Sequence, residues 1–131
     1  MKLYTKGYYL TKSKEFTDWH AGHKEVKHLS HFLKVFDNNS FIWLVAPPDF
    51  DILNYLKSQY RDTLLKDTST AYGKYLLKDD NIIVFKYRVM DTWDMEFELE
   101  IITPELLKDK DGRYYHFIPV DEEKLKGLPE L

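Results

Sequence analysis

Four of the five histidines fall close together in the chain: His20, His23, His28 and His31. Imidazole is the commonest metal ligand, and histidines three or four apart converge on a metal when they share a helix face. The segment 12–27 around them shows no clean period and reads as an irregular loop with at most one helical turn. On a strand, His28 and His31 would point to opposite faces. No His-Glu-x-x-His motif accompanies them. They are read as loop histidines, and no metal and no other cofactor is expected.

A second candidate is the row Asp94, Glu96, Glu98 and Glu100, which alternates with Trp93, Met95, Phe97, Leu99 and Ile101. A carboxylate pair can do acid–base work when one member sits in a dry pocket with a raised pKa. Period two over nine residues instead describes a strand with one dry and one wet face. The basic neighbours expected on the wet face, Lys86 and Arg88, would hold these carboxyls ionised. The row is read as a solvated outer face. No glycine-rich phosphate loop, Gly-x-Ser-x-Gly elbow or nucleophile triad is visible. With no cysteine, thiolate catalysis, thiolate metal sites and disulfides are excluded. No catalytic residue is assigned, and an enzyme is not expected.

The remaining candidates are aromatic: Trp43, Tyr75, Phe85, Tyr87, Trp93, Phe97 and Tyr115. Inside a wide barrel they would line an apolar cup carrying a few hydroxyls, suited to a small hydrophobic or aromatic molecule. Inside a narrow barrel they are its packed core.

Hairpins must position them. Ile83, Phe85, Tyr87 and Val89 alternate just before Trp93, with Met90–Thr92 as a three-residue loop. That register sets Val89 against Trp93, Tyr87 against Met95, Phe85 against Phe97 and Ile83 against Leu99. On the outer face it sets Arg88 against Asp94 and Lys86 against Glu96. A one-residue slip would turn carboxylates onto the apolar face. A second hairpin joins Tyr72–Leu77 to Ile82–Val89 through Asp79–Asn81, with Gly73 facing Tyr87. A third spans Leu29–Val45 and turns at Asp37–Asn39, since Asn tolerates positive φ. Tyr4–Thr11 opens with a short strand. Pro47 and Pro48 stop the third hairpin. Asp49–Tyr60 reads as the one helix, capped by Asp49 or Asp51, with Ile52, Leu53, Leu56 and Tyr60 as its apolar stripe. Asp62–Ala71 is a connector with a possible edge strand at Leu64 and Leu65. Leu106 and Leu107 resume the sheet after Pro104. Arg113–Ile118 is the last strand, and Asp121–Leu131 is a charged tail with a helical turn.

About eight strands joined by short turns predict a mainly β, antiparallel meander closing into a barrel, which removes exposed edges. An open sheet curled around the helix is the alternative. The 131 residues fit a single domain, 1–131, and 16% of them are aromatic. A net charge of −3 argues against binding nucleic acid through bulk charge. No apolar run approaches the roughly 18 residues of a membrane span, and Met1 does not open a signal peptide. The chain as written reads as cytoplasmic; an exported protein trimmed of its signal has the same sequence.

Three pieces resemble a family. They are Phe32–Phe41, then Tyr72-Gly73-Lys74-Tyr75 with Asp80–Ile83, and finally Tyr115–Pro119. Together they resemble the small lipocalin-like, or calycin-type, proteins common in Bacteroidetes, over Leu29 to about Val120. Asn39 stands where the usual turn glycine would be, and Gly7-Tyr8-Tyr9 stands in place of the Gly-x-Trp that opens true lipocalins. The resemblance implies the barrel and carries over no catalytic residue. Two functions follow as expectations. One is a barrel that binds a small hydrophobic or aromatic ligand. The other is a non-catalytic interaction module, monomeric or homodimeric, that uses a sheet edge or the acidic face.

Overall fold

The computed structural model describes residues 3–20, 22–58, 70–89 and 92–128. Among the described residues nine strands form in chain order: β1 Gly7–Thr11, β2 Lys14–His20, β3 His23–Val35, β4 Ser40–Ala46, β5 Thr70–Asp79, β6 Ile82–Val89, β7 Trp93–Thr103, β8 Leu106–Lys108 and β9 Tyr114–Pro119. The described helices are α1 Ile52–Ser58 and α2 Glu122–Leu125, both short. Strands β3 to β9 run as an antiparallel meander, and β1 pairs with both β9 and β3. Tyr9 opposite Leu33 closes the ring, which makes an eight-stranded barrel with β2 left outside it. The expected mainly β meander barrel is the observed fold. No helix among the described residues is long and apolar enough to cross a membrane.

The registers follow from which side chains must stay dry. Along β6 and β7, Val89 faces Trp93, Tyr87 faces Met95, Phe85 faces Phe97 and Ile83 faces Leu99, as the alternation predicts. Arg88 meets Asp94 at 3.1 Å on the wet side. An exposed pair of this kind contributes about 0.2–1 kcal/mol, so it selects register more than it stabilises. Gly73 opposes Tyr87 and Tyr75 opposes Phe85, also as predicted. Asn39 takes φ 64° at the β3–β4 turn.

Two apolar clusters lie on opposite sides of the barrel wall. The inner one gathers Tyr9, Leu33, Val35, Phe41, Phe85, Leu99 and Tyr115. The outer one gathers Phe32, Ile42, Leu44, Ile52 and Leu56, so α1 covers the barrel from outside and does not plug it. Asp51 caps α1, its Oδ1 accepting from the Asn54 N–H at 3.0 Å. The described helix runs 52–58; Gln59 and Tyr60, and the edge strand expected at Leu64 and Leu65, lie outside the described residues.

One expectation is corrected. The segment 12–27, read as an irregular loop, is β2 and the first part of β3. They pair from Lys14–Leu29 to His20–His23 as a two-stranded arm. Gly22, at φ 81°, helps make its turn. The arm has water on both faces. A ribbon wet on both faces has no dry side for its sequence to alternate against, so period two disappears.

Candidate functional site

The inner face of β7 grades from buried to open. Leu99 is 1% exposed, Phe97 is half-buried, Met95 is 44% exposed and Trp93 is 69% exposed. Along β7 the interior is therefore packed at Leu99 and opens toward Met95 and Trp93. At the other end of the barrel Leu77, opposite Ile83, is 49% exposed and lines a cleft of about 340 Å³ with Tyr75 and Ile83. In the packed part, Phe85 stacks on Phe97 at 4.8 Å and meets Phe41 edge-on at 5.0 Å. Tyr75 lies against Phe85 at 5.6 Å.

The seven aromatics read from the sequence divide accordingly. Phe85 and Tyr115 are buried in the interior cluster, and Trp43, Tyr75, Tyr87 and Phe97 flank it half-buried. Trp93 faces inward by register but stands exposed on the rim, not in the interior. The β6–β7 hairpin outruns its β5 neighbour there, since β5 pairs no further along β6 than Tyr87.

A polar cluster floors the end toward Trp93. Trp43 Nε1–H donates to the Tyr115 hydroxyl at 3.1 Å. That hydroxyl lies 3.1 Å from His31 Nδ1, and so does Arg113 Nη1. Guanidinium and indole groups can only donate. His31 Nδ1 must therefore accept, and the ring is neutral with its proton on Nε2. The Tyr115 hydroxyl accepts from Trp43 and shares the single Nδ1 lone pair with Arg113. Among the described residues, nothing accepts from His31 Nε2–H. The His31 ring also stands edge-on to Trp43 at 5.0 Å.

Local structure holds each member in place. The His31 backbone N–H donates to Thr11 Oγ1 at 2.8 Å, which ties β3 to the end of β1. Arg113 leaves a tight turn built on Asp109, whose Oδ1 accepts from the N–H groups of Asp111 and Arg113 at 3.0 and 2.8 Å. Asp109 Oδ2 lies 3.5 Å from Arg113 Nη1 and offsets its charge. Gly112, at φ 83°, completes that turn.

Burial, and then the Arg113 charge, pull the His31 pKa down to about 4. Burial pushes the Tyr115 hydroxyl up to about 12. Near neutrality both are uncharged, and neither is poised for proton transfer at that pH. The floor, with Arg113 set against Asp109, carries no net charge. It is suited to orienting a bound molecule.

These values predict a pH effect. His31 has a folded pKa below its unfolded value of 6.5, so the unfolded chain binds more protons as pH falls. Its contribution to stability is complete above pH 6.5 and is lost progressively toward pH 4. In an NMR titration the His31 ring should titrate near 4, while a midpoint near 6.5 would contradict a desolvated ring. His31→Gln should remove its share of the acid dependence in urea unfolding.

The other sequence candidates lie apart. His28 and His31 point to opposite sides of β3, and His23 faces His20 in register at the arm tip. No group of three or more metal-ligating side chains occurs among the described residues. In the acidic row, Glu98 reaches Lys78 at 3.0 Å, and this hydrogen bond lowers its pKa. Two clefts of about 510 and 500 Å³ lie outside the barrel, one between α1 and β9 and one beside the buried Lys34. The Lys34 ammonium is already engaged by the carbonyls of Thr5 and Val35 at 2.6 and 2.9 Å.

Arg113 and Asp109 escaped the sequence reading, which named Arg113 only as the start of the last strand and gave Asp109 no role. The spacing Asp-x-x-x-Arg ahead of a strand is the signal that was there, and it is common in turns with no site. No protein family, curated protein or solved structure matches this chain.

Proposed function

We propose that this is a lipocalin-like binding domain that holds a small, flat, uncharged aromatic molecule in the open mouth of its barrel. The observation that carries the reading is the exposed inward face of β7, Met95 and Trp93, above the buried Tyr115 and its hydrogen-bonded partners. Apolar walls with a few convergent polar groups are the usual form of a small-molecule site. Trp93 and Tyr87 offer ring faces for stacking, and His31 Nε2–H offers one donor to an acceptor on the ligand edge. Since Asp109 offsets Arg113, an uncharged ligand suits this floor better than an anion.

Titration with Nile red, a flat and uncharged dye, tests it. Saturable binding is expected, with Trp93→Ala and Tyr87→Ala each raising Kd by about tenfold. Leu76→Ala, at an exposed position toward the other end of the barrel, should leave Kd unchanged. Binding that never saturates, or that weakens equally in all three variants, overturns the reading.

A further inference from the structure

The β2–β3 arm is an unfinished piece of sheet. Phe16 is 52% exposed, Trp19 67% and Val26 45%. An isolated two-stranded ribbon is marginal in water, and three or more strands are normally needed. β2 is the terminal strand of the sheet. Among the described residues, the outer edge of β2 pairs with nothing and carries a row of free backbone donors and acceptors. No proline blunts it.

What this edge fits can be read from its own sequence. In a two-fold antiparallel pairing of β2 with a second β2, paired residues must face the same side of the joined sheet. The axis then has to pass through a residue, because a centre between two residues would pair opposite faces. Three centres pair at least five of the strand's seven residues: Phe16, Thr17 and Asp18. An axis through Asp18 sets aspartate against aspartate. An axis through Thr17 places Phe16 opposite Asp18. An axis through Phe16 places Phe16 opposite its own copy, Glu15 opposite Thr17 and Lys14 opposite Asp18. The last pairing occurs twice by symmetry. Only this register combines an aromatic pair with opposite charges and has no like charges opposed.

We propose that β2 is a self-association edge: two copies of this chain join their arms antiparallel about a two-fold axis through Phe16, making one four-stranded sheet. The contact is isologous, so it closes at a dimer and leaves no free edge on β2. The proposal is independent of any ligand in the barrel mouth.

The chain has no cysteine, so a single introduced thiol reports the register cleanly. In the proposed dimer the two Cα atoms at position 16 lie about 4.5–5.5 Å apart, within disulfide reach. Those at position 17 lie about 8 Å apart, beyond it. Under mild oxidation Phe16→Cys should form a covalent dimer at least about tenfold faster than Thr17→Cys. In sedimentation velocity the unmodified protein should show a concentration-dependent dimer. Lys14→Asp and Asp18→Lys should each weaken it by roughly tenfold or more, and the double swap should restore it. Restoration also shows that the arm still folds in the variants. Equal cross-linking at both positions, a dimer indifferent to the swaps, a double swap that stays monomeric, or a monomer at every concentration overturns the proposal.

Discussion

Phe85→Ala should lower the unfolding free energy by about 3–5 kcal/mol, the usual cost of truncating a fully enclosed phenylalanine. The side chain has no exposed surface and touches rings on three sides: Phe97 stacked at 4.8 Å, Phe41 at 5.0 Å and Tyr75 at 5.6 Å. These rings sit on β7, β4 and β5, which hydrogen bonds hold in place, so they cannot all move inward to fill the gap. A domain of this size is stable by about 5–15 kcal/mol, so the loss is a large share of the total. In urea the midpoint should fall while the slope stays constant. Trp93→Ala makes the comparison. It lies on the same inward face but 69% exposed, and it should change stability by no more than about 0.5 kcal/mol. Equal losses in the two variants would contradict an interior packed around Phe85 and open at Trp93.

Gly73→Ala is the second large effect, expected to cost about 3 kcal/mol. A Cβ at this position would stand 1.9 Å from the Lys86 carbonyl oxygen, 2.9 Å from its carbonyl carbon and 3.1 Å from the Tyr87 Cα. All three are backbone atoms of β6, the neighbouring strand, so no side chain can swing aside. The β5–β6 ladder would have to open where it carries Tyr75 and Tyr87. The sign is the informative part. Alanine in an ordinary strand is better than glycine by about 0.5–1 kcal/mol. A thermal melt in which Gly73→Ala matches or exceeds the parent would show that the strands do not approach this closely.

The parts of the fold legible in the sequence share one physical feature: a strand with one dry face and one wet face. The β6–β7 register could be read residue by residue, because a slip by one would bury Asp94, Glu96 and Glu98. Gly73 opposite Tyr87 and the turn at Asn39 were legible for a similar reason, since few residue types satisfy those positions. The arm was not legible. Water on both sides puts no constraint on alternation, and Phe16, Trp19 and Val26 look like scattered apolar residues until the pairing sets Val26 opposite Thr17 and Trp19 opposite Lys24.

The candidate site divides the same way. Sequence alone determined the inward face of β6 and β7, and with it Phe85, Tyr87, Trp93 and Phe97, because one alternation there is apolar and the other charged; along Phe41–Val45 neither alternation is polar, so parity did not fix Trp43. It could not grade them by depth, since burial along β7 depends on where β5 stops pairing with β6. Nor could it assemble the floor of the mouth. His31, Trp43, Tyr115 and Arg113 come from three strands and a turn, and His31 lies 82 positions from Arg113 and 84 from Tyr115. Barrel closure, with Tyr9 set against Leu33 and Thr11 against Tyr115, brings these elements together. Closure is a property of the whole ring of strands, so only the tertiary structure decided that His31 is a desolvated, neutral donor at the mouth and not one of a row of loop histidines.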